Sequence, residues 1–223
     1  MLNGTTFTRA QQLHQQNQPK IEITYHLILW QIINKEDSTV PITLSTNQQQ
    51  VVNVEKIKEY QIDANLGRIS ALQLLNDNSY LFIGFESGDT YVFNVNKFEI
   101  VPGVINKDYI MKNLPDNLKK NPGAVESISH HPRNLTKLLI AYNRGLFVIY
   151  DFIKNSIDHI KSTNQPLESA CFYQNGDCVA TSHTDGSFIL WDFEVSTNSP
   201  PNIVYGPYPC RPVTKILVKT VKK

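Results

Sequence analysis

Two pairs of neighbouring side chains have the residue types needed for acid–base catalysis or metal binding. His130 and His131 are potential metal ligands or a catalytic base, but Pro132 follows them and no acid or nucleophile lies in phase. Asp158 and His159 are a potential acid–base pair, but neighbours on a strand point to opposite faces. We therefore interpret both pairs as structural, with His130 and His131 as a surface pair at a strand end.

The sequence contains no G-x-S-x-G, H-E-x-x-H, P-loop or G-x-G-x-x-G motif. Its three cysteines, Cys171, Cys178 and Cys210, include no C-x-x-C pair, which favours reduced thiols over a zinc site. Arg144 has the chemistry of an arginine finger, but nothing near it supports that role, and we expect an exposed turn arginine. The sequence therefore predicts no catalytic, cofactor or metal site.

Composition argues against several further classes of protein. The formal net charge of +1 gives no argument for binding nucleic acid or an anionic membrane. No apolar run approaches the roughly 18 residues of a spanning helix. Residues 1–20 are polar and rich in Gln, so we predict a disordered segment without a secretory signal. A cytoplasmic protein with no integral membrane segment is the expectation.

A turn glycine followed five positions later by an aromatic residue recurs three times. Gly145 and Gly186 are 41 residues apart, and one blade of a WD40-type β-propeller has roughly 40–45 residues. Gly88 precedes Gly145 by 57 residues, which leaves room for an insertion at residues 106–122, a loop or a short helix. The repeat residues are Gly88, Phe93, Gly145, Tyr150, Asp185, Gly186 and Trp191.

Alternating apolar residues between turn signals predict an all-β fold over residues 21–223. We interpret it as an incomplete WD40-like β-propeller sector of about three four-stranded antiparallel blades. Predicted blade strands are 69–75, 80–85, 90–95, 98–105, 125–130, 137–142, 146–152, 157–161, 167–173, 177–182, 188–193 and 203–205, with 213–218 resembling the first strand of another blade.

Propellers close with about 4–8 blades, and closure removes exposed strand edges. The chain is therefore expected to be a piece of a longer propeller or to be completed by another chain, and its end at residues 213–223 favours the first. We expect the isolated chain to be poorly soluble or oligomeric, because unpaired strand edges invite association.

A hydrogen-bonded network is expected around Trp191, because a buried indole N–H needs a partner. Asp185 and either Ser182 or Thr181 are the predicted members. The histidine that would complete such a network before the first strand of the blade is missing, and Gln165-Pro166 stands in its place.

Three stretches together resemble the lethal giant larvae / tomosyn family of WD40-like double-propeller proteins, which includes yeast exocytosis proteins. The third stretch is the most specific, because ordinary WD40 repeats lack a Tyr-Gly-Pro-aromatic-Pro-Cys connector, and it is closer to the lethal giant larvae branch. The stretches are Gly123-Ala124-Val125-Glu126-Ser127 through Val148-Ile149, Asp158-His159-Ile160 through Trp191, and Tyr205-Gly206-Pro207-Tyr208-Pro209-Cys210 through Leu217.

The resemblance implies a non-enzymatic scaffold that regulates exocytosis and cell polarity by binding SNAREs such as syntaxin, small GTPases and, in animals, myosin II. Some members of the family are described as GTPase regulators. It also implies a cytoplasmic protein with peripheral association at the plasma membrane or cell cortex, represented here by part of the first propeller. The alternative is a generic WD40-like adaptor in an unrelated cytoplasmic complex.

The connector that contains Tyr205, Pro207, Tyr208 and Pro209 is the candidate partner-binding segment. Rigid aromatic side chains lose little entropy when they bind a partner. The alternative is that the tyrosines pack between blades while the prolines fix the path of the chain. The insertion at 106–122 is a second candidate surface, whose alternative is a solvated linker.

Overall fold

The computed structural model describes residues 24–33, 53–193, 201–206 and 213–217. Fourteen strands and one α-helix lie within these residues. They are β1 (Tyr25–Ile33), β2 (Asn53–Ile62), β3 (Ile69–Leu74), β4 (Tyr80–Phe85), β5 (Thr90–Asn94), β6 (Glu99–Ile105), α1 (Lys107–Lys112), β7 (Val125–His130), β8 (Lys137–Tyr142), β9 (Leu146–Asp151), β10 (Ser156–Ser162), β11 (Leu167–Tyr173), β12 (Cys178–His183), β13 (Phe188–Asp192) and β14 (Asn202–Tyr205).

The strands form three four-stranded antiparallel sheets and one two-stranded sheet. Blade 1 is β3-β4-β5-β6, blade 2 is β7-β8-β9-β10, and blade 3 is β11-β12-β13-β14, each in chain order. Consecutive strands pair as simple hairpins, which is the arrangement of a propeller blade. The predicted fold class is therefore confirmed, and the predicted blade strands agree with the observed ones to within one residue at each end.

The two-stranded sheet β1-β2 packs one face against blade 1. Tyr25, Leu27 and Tyr60 lie on that face, beside the buried Ile62. The ring of Tyr60 meets Phe93 of blade 1 edge to face, with centroids 5.2 Å apart. The sheet therefore continues the stack of blades as a partial blade that precedes blade 1.

Blade 2 lies between blades 1 and 3 and is buried on both faces. In β8, Leu138 and Ile140 face the core shared with blade 1, whereas Leu139 and Ala141 face the core shared with blade 3. All six residues of β9 are buried. Side chains on a strand alternate between faces, so a sheet covered on both sides needs apolar residues at nearly every position. The near-continuous apolar runs of β8 and β9 have this cause.

The insertion between blades 1 and 2 folds onto the core. The side chain of Asn106 caps α1 by accepting a hydrogen bond from the backbone N–H of Asp108 at 2.6 Å. Ile110 and Leu114 are buried in the core between the two blades. A short 3₁₀ turn follows at Asp116–Leu118. A solvated linker is therefore the wrong interpretation of residues 106–122, because their apolar side chains complete the interface between the blades.

Residues 213–217 run beside the first strand of blade 3 without forming an assigned strand. Ile216 N–H donates to Ser169 Oγ at 3.1 Å. The matching contact one blade earlier joins Ser127 Oγ to the carbonyl of Ala170, 2.9 Å away. The repeated use of a serine at the same strand position places 213–217 where the first strand of a further blade would lie.

Blades 1 and 2 approach most closely at a glycine. A Cβ atom added to Gly84 of β4 would lie 2.5 Å from Val125 Cγ1 and 2.8 Å from Val125 Cβ. No side chain fits in that space, so the glycine sets how closely the two sheets pack.

Gly84→Ala is expected to lower the free energy of unfolding by about 1–3 kcal/mol, because the methyl group forces the two sheets apart. Urea unfolding measures the change. Gly206→Ala is the matched control, since no atom of the described residues, its chain neighbours apart, lies within 4 Å of its Cβ position. It should change stability by less than about 0.5 kcal/mol. Equal stability of the two variants would contradict this close packing of blades 1 and 2.

Candidate functional site: a polar blade network and an exposed aromatic edge

A buried hydrogen-bonded chain crosses the middle of blade 3. Trp191 Nε1 donates to Thr181 Oγ1 at 2.8 Å, and Thr181 Oγ1 lies 2.9 Å from His183 Nε2. All three side chains are buried. Because the Thr181 oxygen accepts from the indole, its hydroxyl hydrogen is left to be donated to His183 Nε2, which fits a neutral imidazole.

No histidine lies in the segment directly before the first strand of blade 3, but the network contains one that the sequence reasoning did not assign to it. The ring comes from His183, two residues after Thr181 on the same face of β12, and not from the segment before β11. Burial lowers the pKa of His183, while the carbonyls of Gln165 and Pro166 act in the opposite direction. The Thr-x-His spacing on one strand face is the sequence signal that would have found this residue.

Asp185 and Ser182 stand next to the network but outside its chain of hydrogen bonds. Asp185 Oδ1 accepts from Ser187 N at 2.9 Å and from Ser187 Oγ at 2.6 Å, which fixes the turn. Burial works to raise the pKa of Asp185, but these two hydrogen bonds outweigh it and hold the pKa below its ordinary value. Ser182 Oγ donates to the carbonyl of Val213 at 2.6 Å, so Thr181 is the network hydroxyl.

The same strand positions in blades 1 and 2 carry apolar or aromatic side chains. Phe93 and Tyr150 replace Trp191, and Ile140 of blade 2 replaces Thr181. Phe93 packs edge to face on Phe98, with centroids 5.1 Å apart. The position of Trp191 is therefore filled by a different aromatic residue in each blade. The turn glycines Gly88, Gly145 and Gly186, in contrast, share a positive φ.

His130 and His131 both have structural partners. His130 is buried, so its assignment as a surface residue is wrong, and its Nε2 lies 3.3 Å from the carbonyl of Leu135. His131 Nδ1 accepts from the backbone N–H of Asn134 at 2.9 Å, and its ring lies 4.7 Å from that of Phe172. An accepting Nδ1 and a ring packed at a tilt against Phe172 of blade 3 give His131 a packing role.

Asp158 and His159 also work separately. Asp158 pairs with Lys137 Nζ at 2.7 Å, and the ring of His159 lies 4.9 Å from that of Phe193. Arg144 lies on the turn of blade 2, and its Nη1 donates to the carbonyl of Asn121 at 3.4 Å. The side chains that first suggested acid–base chemistry are thus held by unrelated partners.

Cys171 and Cys178 are buried cysteines, and burial raises the pKa of Cys171 to about 11. Cys210 lies outside the described residues. Across the described ranges, no group of three or more His, Cys, Asp or Glu side chains is placed to hold a metal ion. Nor does that part of the chain contain a helix long and apolar enough to cross a membrane.

A cavity of about 750 Å³ runs along the inner strands β3, β7 and β11. Glu126 and Glu168 line it at equivalent positions of two blades. Burial, and then the neighbouring Glu168 carboxylate, raises the pKa of Glu126. The sequence reasoning did not identify this cavity, although Glu precedes Ser at the same place in both first strands.

The candidate partner-binding segment begins on the outer strand of blade 3. Tyr205 in β14 is 61% exposed, and Ile203 on the same strand is 59% exposed. The ring of Tyr205 approaches that of Phe188 at 6.4 Å. Pro207, Tyr208 and Pro209 lie outside the described residues. The structure therefore places the start of this segment on an accessible apolar edge.

Some side chains of the second candidate surface make internal contacts. Lys107 Nζ donates to the carbonyl of Ser87 at 2.9 Å. The hydroxyl of Tyr109 donates to the carbonyl of Asn155 in blade 2 at 3.0 Å. These contacts join the insertion to both blades.

Thr181→Val should lower the free energy of unfolding by at least about 1–3 kcal/mol, because the indole N–H and His183 Nε2 both lose their partner inside the core. Chemical denaturation measures the loss. The exposed Thr184 provides the control, and Thr184→Val should change stability by less than about 0.5 kcal/mol. Equal effects of the two substitutions would show that the network does not stabilise blade 3.

Stability is also expected to depend on pH through four histidines. Burial lowers the pKa values of His130, His131, His159 and His183 from their ordinary value of 6.5. The unfolded chain therefore binds protons more readily, so stability is complete above about pH 6.5 and falls as the pH drops through the lowered values. Urea unfolding at about pH 5 and about pH 7.5 measures the difference. His159→Gln should reduce this pH dependence, whereas equal or greater wild-type stability at the lower pH would contradict it.

Comparison with known proteins identifies relatives over most of the chain, although no protein-family model matches it. Lethal(2) giant larvae protein homolog 1 of Mus musculus is 34% identical over 164 residues, covering 69% of this chain and 16% of the relative. Lethal(2) giant larvae protein of Drosophila melanogaster is 34% identical over 166 residues, covering 72% and 14%. LLGL scribble cell polarity complex component 2 of Mus musculus is 33% identical over 151 residues, covering 64% and 15%.

Solved structures show the same architecture at low sequence identity. The β-propeller domain of Cps50 (Swd1) from Myceliophteria thermophila matches with a TM-score of 0.50 and 12% identity, covering 61% of this chain and 39% of that one. A chain of the mitotic checkpoint complex matches with a TM-score of 0.53 and 14% identity, covering 76% and 46%. These two likenesses concern the fold alone.

The present chain spans 14–16% of the length of the three relatives described above. Three observations point to the same family. They are the repeat spacing, the propeller-like stack of blades and the sequence identity to these relatives. The chain belongs to the lethal giant larvae family of WD40-like propeller proteins.

Proposed function

We propose that this chain is part of a non-enzymatic scaffold in cell polarity and exocytosis. The observation that carries the proposal is the 34% identity to Lethal(2) giant larvae protein homolog 1 over 69% of the chain. A relative from the same comparison is named as a scribble cell polarity complex component. The separate partners of His130, Asp158 and His159 favour a binding role over a catalytic one.

The proposed partners are SNAREs of the syntaxin type, small GTPases of exocytosis and myosin II. The proposed location is the cytoplasm, with peripheral association at the plasma membrane or cell cortex. Both proposals follow from membership of the family, and they concern the whole protein of which this chain represents a part.

The exposed edge of blade 3 is the proposed contact surface within the described residues. Tyr205 and Ile203 present large apolar groups to solvent on the last strand of the blade 3 sheet. Side chains of this kind supply most of the binding energy when a partner covers them. The sequence continues from Tyr205 into Pro207, Tyr208 and Pro209, which adds aromatic area on a stiff backbone.

The insertion is the weaker candidate for the contact surface. Its apolar residues Ile110 and Leu114 are buried, and the hydroxyl of Tyr109 is engaged by Asn155. A partner that bound there would have to compete with contacts that hold blades 1 and 2 together. Tyr205 is therefore the residue to test first.

Tyr205→Ala should weaken retention of polarity and exocytosis partners by about tenfold or more, which is the expected effect of removing a central aromatic contact. Affinity capture of the tagged chain from cell extract, with mass spectrometry, measures which partners are retained. Syntaxin-type SNAREs, small GTPases and myosin II are scored by name, in the wild type and in the variant.

Tyr173→Ala is the matched control, because this tyrosine is also exposed and lies on blade 3 but away from β14. Retention unaffected by Tyr205→Ala would reject the edge as the contact surface while leaving the scaffold role in place. Retention only of proteins unrelated to secretion or polarity would reject the scaffold role and favour a generic WD40-like adaptor.

A further inference from the structure

Two hydroxyl groups are buried in the interface between blades 1 and 2 without a hydrogen-bond partner among the described residues. They belong to Thr90 of β5 and Tyr142 of β8, both of which are 0% exposed. Buried hydroxyl groups in folded proteins nearly always have a protein or water partner, because an unpaired one is costly. These two atoms therefore require a partner beyond the contacts seen in the described part of the chain.

The two side chains lie on facing sheets at the same level of the blades. Thr90 pairs with Gly84, and Tyr142 pairs with Val125. Gly84 and Val125 are themselves in close contact across the interface, since a Cβ on Gly84 would lie 2.5 Å from Val125 Cγ1. Paired residues share a face of a sheet, so both hydroxyl-bearing side chains point into the same space between the blades.

The corresponding place in blade 3 shows why Tyr142 needs an outside partner. His183 occupies the position of Tyr142 one repeat later, and Thr181 hydrogen-bonds to it. In blade 2 the residue at the position of Thr181 is Ile140, which has no polar group. The position of Tyr142 and His183 is polar in both blades, but only in blade 3 does another side chain of the same blade hydrogen-bond to it.

We propose that blades 1 and 2 bind one buried water molecule, hydrogen-bonded by the hydroxyls of Thr90 and Tyr142. Buried waters in proteins typically make two to four such bonds to polar groups that otherwise lack partners. The water links the two sheets beside Gly84, which contributes no side chain to the interface.

The test is a double-mutant cycle with Tyr142→Phe and Thr90→Val in the full chain, measured by urea unfolding at one protein concentration. Each substitution should shift the folding equilibrium toward the unfolded state by about fivefold, because the water loses a partner. The double variant should shift it by clearly less than the product of the two, since both act through one water. Tyr91→Phe, on the opposite face of β5, is the control and should show no coupling to Thr90→Val.

If the hydroxyls had no partner, removing one would leave stability unchanged or increase it, so either result for Tyr142→Phe would overturn the proposal. A crystal structure gives an independent measurement in which ordered density should lie within hydrogen-bond distance of both oxygens. A direct bond between Thr90 and Tyr142 in that structure would also overturn it.

Discussion

The rest of the structure depends on the face-to-face packing of successive antiparallel sheets. Each interface is an apolar layer built from the alternate residues of two sheets, and blade 2 contributes to two such layers. Burial of apolar area on both faces is the main stabilising term for such a sheet, because hairpin strands are marginally stable alone. The turn glycines, α1 and the close contact at Gly84 all help these layers to form.

Buried polar groups in these layers need hydrogen-bond partners, and the blades meet this need in different ways. In blade 3 the indole of Trp191, the hydroxyl of Thr181 and the ring of His183 satisfy one another. Blade 1 has Phe93 at the position of Trp191, which needs no hydrogen-bond partner and packs on Phe98 and Tyr60. The repeats therefore share a backbone but not a core chemistry, and the aromatic position five residues after the turn tolerates this because its main role is to fill volume.

Much of the blade architecture could be predicted from the sequence, since strand alternation and turn glycines are local signals. The β8 and β9 runs and the Gly145 turn are examples. Burial of His130 and the docking of Ile110 and Leu114 could not be predicted, because each depends on a contact with another blade or strand. The role of His183 had a local signal, its spacing from Thr181 on one face of β12. The edge at Tyr205 was identified from its composition, whereas its exposure follows from its place at the end of a sheet.

The most direct test of the stacked-blade account is amide hydrogen exchange across the chain, because slow exchange follows burial within a cooperative unit. The account predicts the slowest exchange in β8 and β9, which have blades packed on both sides, and the fastest strand exchange in the exposed β14. Exchange in β8 and β9 as fast as in β14 would contradict the central claim that consecutive blades pack face to face around blade 2.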